Sequence, residues 1–451
     1  MRSLAVVFDA ADAKHIFCST RPWFKETNMR FRTSALITVL IATLAFSSLA
    51  NAIATESTIY TFGESTSFWP QGGLLEDSAG NLYGTTRAGG TYGVGTVFEL
   101  SPPAVSGGAW TITNLYSFVP YGSGGYVPIS DLVRDQKGSF YGTYYSGGDP
   151  SCNCGGVFKL NPPAVQGGAW TEVSLYAFKQ SGDGHLPTPF ALALTTTGTL
   201  FGTTSRGGTW DSGVLYQLTT KNGISYTESV LYSFGDVGDG ITPNGPVILD
   251  SAGALYGVTS LGGAYNQGAV FKFVPAINGQ LAKESLLFSF GSSTSTGSNP
   301  SGNLIFDVGG NIYGVTNNGG TSDDGVVYSI APGNPTWTET VLYTFTTDSG
   351  SHPIGGLTWN HTNNNLYGTT SSQNMHPAGD GTIFKLVPPA TKGGVWTEST
   401  LFQFTYRVNG GFPTGAILRD SKTGTLYGTA QNGGVTSCDL FCGVIWQVTN
   451  P

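Results

Sequence analysis

The chain has 451 residues, of which 66 are Gly, 11% are charged and 12% are aromatic. So few charges with so many aromatics exclude a disordered chain, and abundant Gly points to short strands joined by tight turns. The balance is acidic, 20 Lys and Arg against 28 Asp and Glu for a net charge of -8. No basic cluster runs along the sequence, which argues against a nucleic-acid partner.

Residues 1–28 carry no repeat and precede Met29. They read as an extension upstream of a true start at Met29. Residues 29–52 read as a signal peptide. Arg30 and Arg32 supply the positive segment, Ala35 to Leu49 the apolar run, and Ala50-Asn51-Ala52 a small-x-small cleavage pattern. The apolar run is short for a membrane-spanning helix. Cleavage after Ala52 leaves residues 53–451 as one domain with 14 basic and 25 acidic residues, a net charge of -11. The expected location is secreted or periplasmic, with no membrane span after signal removal and a monomeric state.

The mature part repeats itself. Leu82-Tyr83-Gly84-Thr85-Thr86 returns as Phe140-Tyr141-Gly142-Thr143, Leu200-Phe201-Gly202-Thr203-Thr204 and Leu255-Tyr256-Gly257. It returns again as Ile312-Tyr313-Gly314, Leu366-Tyr367-Gly368-Thr369-Thr370 and Leu426-Tyr427-Gly428-Thr429. The aromatic positions are spaced by 58, 60, 55, 57, 54 and 60 residues. Each period holds four strand-like runs. Strand a resembles Val247-Ile248-Leu249-Asp250 and strand b is the Tyr-Gly motif. Strand c resembles Gly95-Thr96-Val97-Phe98-Glu99-Leu100, and strand d resembles Trp337 to Phe345. Seven units of four antiparallel strands imply an all-β, seven-bladed β-propeller. The last repeat stops after strand c, at Val444 to Val448, and the mature chain begins with a lone strand d, Ile59 to Phe62. Pairing of the two would close the ring and remove an open edge.

The strings Leu-Tyr-Gly-Thr-Thr-x-x-Gly-Gly, Gly-Thr-Val-Phe-x-Leu and Asp-x-x-Gly-Asn-Leu-Tyr resemble the GloVer (Gloeo/Verruco) tandem repeat of exported bacterial proteins, across nearly all of residues 57–450. Several copies depart from it: Phe201 replaces Tyr, Val258 and Val315 replace the first Thr, and Ser139-Phe140 replaces Asn-Leu. The resemblance implies no particular activity. Some relatives carry C-terminal anchoring signals, and this chain, ending at Pro451, resembles an unanchored member. The Trp-Asp signature of WD40 repeats is absent.

What recurs in every repeat is structural, and what occurs once is a candidate for function. Asp77, Asp135, Asp250, Asp307 and Asp420 end strand a before a Gly-containing turn and read as Asx-turn residues. The single-copy polar residues fall in the d–a and b–c loops, which emerge on the same face of a four-stranded meander. The d–a loops carry Asp183, His185, Asp236, Asp239, Asp348 and His352. The b–c loops carry Trp210, Asp211, Asp323, Asp324, His376 and Asp380. Aromatics accompany them: Phe68, Trp69, Tyr121, Tyr126, Tyr144, Tyr145, Tyr265 and Phe412. Exposed rings beside Asp and Asn suit stacking on sugars with hydrogen bonds to hydroxyls. The candidate ligand-binding set is Tyr126, Tyr144, Tyr145, His185, Trp210, Asp211, Asp236, Asp239, His352 and His376.

No cofactor is expected, although Asp236 and Asp239 could contribute to a calcium site. Local disulfides are expected, Cys152 to Cys154 and Cys438 to Cys442, because the compartment is oxidising and the spacing is not that of a zinc ribbon. The leading functional expectation is a non-enzymatic module that binds a polysaccharide or an extracellular surface protein. A lyase or hydrolase with its site on the loop face, and a structural scaffold, are the alternatives.

Overall fold

The computed structural model describes residues 54–451 apart from 64–66, 121–123, 181, 277–280, 294, 334–335, 372–379, 392, 406–407 and 435–441. They lie in the unit Ala52–Pro451. Every regular element among them is a β-strand, and no helix there is long and apolar enough to cross a membrane. The strands form four five-stranded sheets, one four-stranded sheet and one of eight strands. The eight-stranded sheet is two four-stranded antiparallel halves meeting at one parallel bridge, Asn303 to Gly356. The architecture is a repeat β-propeller-like fold. Each sheet or half-sheet is named below by the aromatic residue of its strand b.

The Tyr-Gly motif has a steric origin. Gly257 on strand b pairs with Phe271 on strand c, and a Cβ on Gly257 would come within 2.6 Å of the Phe271 ring. Glycine is therefore what lets the ring lie across the strand. Gly84 and Phe98, Gly142 and Phe158, Gly202 and Tyr216, Gly314 and Tyr328, Gly368 and Phe384, and Gly428 and Trp446 repeat the pair. The same strand-c ring also receives the Phe at the end of strand d in the preceding sheet. Phe234 meets Phe271 with centroids 5.0 Å apart, nearer edge-on than stacked. Phe62 to Phe98, Phe118 to Phe158, Phe178 to Tyr216, Phe290 to Tyr328, Phe345 to Phe384 and Phe404 to Trp446 make the equivalent contact. All these rings are buried. Such pairs add about 0.5–1.5 kcal/mol each beyond the burial of their area.

The apolar core is accordingly divided into clusters, each shared by two sheets that follow one another in the chain. One further cluster joins the Tyr367 and Tyr427 sheets, and another joins Tyr427 to Tyr83. Thr55–Thr61 pairs antiparallel with Val444–Thr449, so the Tyr427 sheet takes the first described strand as its outer member.

Strand a differs from the sequence reading. In the Tyr256 sheet it has two pieces, Gly240–Pro243 and Ile248–Leu249, both paired with Leu255–Gly262. The first piece lies in what the sequence alone assigns to the d–a loop. Pro243 has no N–H to give the ladder, and Thr242 before it has φ 57°, so the strand leaves the sheet there and rejoins at Ile248. The positive φ before proline recurs at Trp69-Pro70, Val127-Pro128, Leu186-Pro187, Asn299-Pro300, His352-Pro353 and Phe412-Pro413, although strand a runs unbroken as Gly297–Phe306 and Pro353–Trp359 in the Tyr313 and Tyr367 sheets, with a register shift in place of the gap. The turned residue donates its N–H to a b–c loop carbonyl of the neighbouring sheet: Thr242 to Ser212 at 2.9 Å, Val127 to Val94 at 2.8 Å, Trp69 to Cys442 at 3.1 Å. The proline ring then covers a glycine of that loop. A Cβ on Gly268 would come within 2.4 Å of Pro300 Cδ.

The a–b turns follow the expected Asx geometry. Asp77, Asp135, Asp250 and Asp307 each accept backbone N–H groups two and four residues on. Each also accepts the hydroxyl of its own motif tyrosine at 2.9–3.2 Å. In one repeat both partners change together, to Thr195 and Phe201.

Near the start of strand d, Glu56, Glu172, Glu228, Glu284 and Glu339 each hold one carboxylate oxygen buried without a hydrogen-bond partner. Burial pushes all five carboxyls up to about 7.

Two predictions follow from these contacts. Gly257→Ala forces a Cβ into the Phe271 ring and should cost about 3 kcal/mol in denaturant unfolding, the upper end for overpacking a buried site. Gly253→Ala, at φ +84° with no heavy atom within 4 Å of the new Cβ, should cost only about 1–2 kcal/mol from the backbone alone. Equal losses would contradict the ring-on-glycine account. The glutamates set a pH dependence. Their folded-state values exceed the ordinary carboxyl value, so their contribution is full below the unfolded value of 4.5 and is lost as pH rises through about 7. The melting temperature should fall from pH 5 to pH 8, and Glu339→Gln should flatten that slope.

Candidate functional site

The ends of strand b, the b–c loops and the starts of strand a share one face, because Gly240 pairs with Gly262, Gly184 with Gly207 and Gly125 with Gly147. This face gathers most of the residues singled out from the sequence. Tyr145 is 39% exposed and Trp210 55% exposed. Tyr126 is half-buried on strand a and donates its hydroxyl to Asn153 Oδ1 at 3.1 Å. His185 also lies on strand a, with Nε2 3.8 Å from Asp211 Oδ1 and Nδ1 buried without a hydrogen-bond partner. Asp211, at φ 52°, accepts the Gly207 N–H and so shapes its own loop. His352 occupies one of the turned positions before proline, with Nδ1 2.8 Å from the Asn317 carbonyl.

Other expectations change. Tyr144 is fully buried, with its hydroxyl 2.8 Å from Ser174 Oγ and its ring stacked near Phe158. It is one residue from Tyr145, and strand alternation sends it to the opposite side, into the core. Asp239 is also buried, and its carboxylate accepts the Tyr232 hydroxyl and the Gly235 and Gly240 N–H groups. Asp183 does the same for Tyr176 and Lys179, so this is a second repeated turn lock. Asp236 is exposed and accepts the Val237 N–H. The Asp239 oxygens are thus engaged by its own turn. Among the described residues no three His, Cys, Asp or Glu side chains gather as a metal site. Cys152 and Cys154 are disulfide-bonded, with Cys154 buried. Cys442 is also disulfide-bonded; Cys438, His376 and Tyr121 lie outside the described residues.

Sequence reasoning named Trp69, His352 and Phe412 but missed Val127, Leu186, Thr242 and Asn299 and the turned backbone that all seven share before proline. The signal was present as prolines at 70, 128, 187, 243, 300, 353 and 413. Their backbone is the same in each repeat while their side chains differ in every one. Positive φ at non-Gly residues, and above all at β-branched Val127 and Thr242, costs about 1–3 kcal/mol and persists only where surroundings enforce it.

These side chains meet strand-b ends from their own or the preceding sheet. Trp69 Nε1 donates to Gln431 Oε1 at 3.2 Å, and the Arg87 guanidinium lies 4.5 Å over the Trp69 ring. Further round, Ser205, Ser260 and Ser371 donate their hydroxyls to the carbonyls of Leu186, Thr242 and His352. A surface groove of about 810 Å³ opens nearby, lined by Ser293, Thr296, Ser298, Asn299, Asn318 and Asp323 among others. One side of the face is thus aromatic and cationic, and the other offers hydroxyls and amides.

Comparison with known proteins agrees with the repeat. The fold is similar to a protein of unknown function from Dyadobacter fermentans DSM 18053, at 13% identity over 88% of this chain and 99% of the other, with a TM-score of 0.44. It is similar to the endo-arabinase from Bacteroides thetaiotaomicron VPI-5482, at 13% identity over 65% and 99% of the two chains and a TM-score of 0.33. It is also similar to Trypanosoma rangeli sialidase in complex with sialic acid, at 12% identity over 88% and 59% and a TM-score of 0.39. No curated protein matches the sequence. The Gloeobacter/Verrucomicrobia repeat matches three overlapping spans, residues 45–249, 166–374 and 243–450, and by that match and its Tyr-Gly period the chain belongs to the Gloeobacter/Verrucomicrobia repeat family.

Proposed function

We propose that this chain is an exported, seven-bladed closed propeller that binds a polysaccharide on the face formed by its d–a and b–c loops. The closed seven-bladed reading is supported by seven aromatic-Gly motifs, six of them Tyr-Gly and one Phe201-Gly202, by the cluster shared between the Tyr427 and Tyr83 sheets, and by the pairing of Thr55–Thr61 with Val444–Thr449. Export is supported by the charged, apolar and small-residue order of residues 30–52.

The observation that carries the binding reading is the distribution of exposed rings. Among the described residues the strongly exposed aromatics are Tyr92, Tyr145, Trp210 and Tyr265. All four sit on strand-b ends or b–c loops, in four consecutive sheets. The opposite face exposes aliphatic residues instead, such as Val105, Val165, Ile224 and Val308. Rings are costly to leave in water, and an arc of them over successive repeats suits a linear chain of sugars stacking one unit after another. Neighbouring hydroxyls and amides of Ser298, Asn299 and Asn318 suit its hydroxyl groups.

The test is a glycan panel read by thermal shift and calorimetry on the purified protein. A bound glycan class should lose affinity in graded steps with Tyr92→Ala, Tyr145→Ala, Trp210→Ala and Tyr265→Ala, by about three- to tenfold each. Val105→Ala should leave binding unchanged. Turnover of the glycan, abolished by changing one acid, would replace this reading with an enzyme. A flat response across the panel would reject the polysaccharide.

A further inference from the structure

We infer that the groove between the Tyr141 and Phe201 sheets, on the face opposite the exposed rings, is a binding site for clustered oxyanions such as sulfate or phosphate esters. It encloses about 440 Å³ and is lined by the a–b turns of both sheets and by the Thr220–Tyr226 hairpin end. Lys137, Lys159 and Lys221 line it, with Arg134 at its edge. The whole chain has only 20 Lys and Arg and an acidic balance, so three lysines lining one groove invert the local sign of charge.

Cations at all three of the positions of Arg134, Lys137 and Lys159 occur together in this repeat alone, although the Tyr427 sheet carries Arg419 and Lys422 at the first two positions and Lys272 and Lys385 stand at the third in two other sheets. At the positions equivalent to Arg134, Lys137 and Lys159, the preceding sheet carries Glu76, Ala79 and Glu99. On the far wall, Thr195 replaces the turn aspartate found at Asp77, Asp135, Asp250, Asp307 and Asp420. A hydroxyl therefore stands where five repeats place a carboxylate.

The one acid in the groove is already engaged. Asp135 accepts the Lys137 and Ser139 N–H groups and the Tyr141 hydroxyl. The Lys159 ammonium lies 3.7 Å from it, with a side chain only 11% exposed. That pair belongs to the scaffold, since Lys272 and Asp250 repeat it at 3.9 Å in the Tyr256 sheet. It leaves Arg134, Lys137 and Lys221 without a carboxylate partner among the described residues. The Arg134 guanidinium packs against the Tyr83 ring of the preceding sheet and the Phe140 ring, 5.7 and 5.5 Å away, so Lys137 and Lys221 are the cations left to meet an oxyanion. The volume matches one sulfated or phosphorylated sugar unit or one lipid headgroup.

The probes are inorganic sulfate, inorganic phosphate, a sulfated tetrasaccharide, and vesicles of phosphatidylcholine with phosphatidylglycerol. Binding to the full protein is read by calorimetry and vesicle sedimentation at low ionic strength. At least one probe should bind, and the double variant Lys137→Gln/Lys221→Gln should weaken it about tenfold or more, as should raised salt. Thr195→Asp, which restores a residue that five other repeats fold with, should weaken it as well. Lys283→Gln, an exposed lysine elsewhere, should not. Preference for the tetrasaccharide assigns the anion to a glycan, and preference for vesicles assigns it to a lipid. Failure of every probe to bind, or binding that survives both groove variants, overturns the inference. Neither failure touches the polysaccharide reading of the other face, whose residues are unchanged.

Discussion

A buried aromatic ring lying across a glycine is the contact on which this architecture rests. Each strand-c ring covers the strand-b glycine beside it and meets the phenylalanine of the preceding sheet. It thus ties together strands within one sheet and sheets within the molecule. No sheet has a core of its own. Every apolar cluster is shared, so each repeat is stable only through its neighbours, as expected of repeat architectures.

A second contact repeats with equal regularity but has a different character. Before each inner proline the chain turns to positive φ, gives its N–H to the neighbouring sheet, and sets the proline ring on a neighbouring glycine. The backbone is fully specified while the identity of the side chain varies. Trp, Val, Leu, Thr, Asn, His and Phe all occupy this position, which is how an almost symmetric scaffold presents an asymmetric surface. Strain of this kind clusters at binding surfaces in many proteins; here the scaffold enforces it in every repeat.

Much of the fold was legible in the sequence because the Tyr-Gly period is a direct record of the ring-on-glycine contact. The Asx turns were legible for the same reason, since Asp250 and Tyr256 are fixed partners six residues apart. Strand a was read only in part: its first piece, Gly240–Pro243, has no apolar alternation and contains a proline, both of which argue for a loop. The site was less legible. Loop position suggested exposure for Tyr144 and Asp239, but one is turned inward by strand alternation and the other by its bonds to Tyr232 and the turn. The groove cations were invisible as a patch because Lys137, Lys159 and Lys221 are far apart in sequence and line one groove only when two sheets face each other.

The pairing of Thr55 with Thr449 spans almost the whole chain. Such a contact contributes nothing until nearly every residue between its partners has been made, and closing so long a loop is slow compared with forming a hairpin. The segment around Thr55 is the first of the sheet strands to leave the ribosome and the last to find its place. Until then the final sheet lacks its outer strand and exposes a bare hydrogen-bonding edge along Val444–Thr449. A nascent copy is therefore most vulnerable to pairing with another copy at the end of synthesis, and this joint is where a domain-swapped dimer would form.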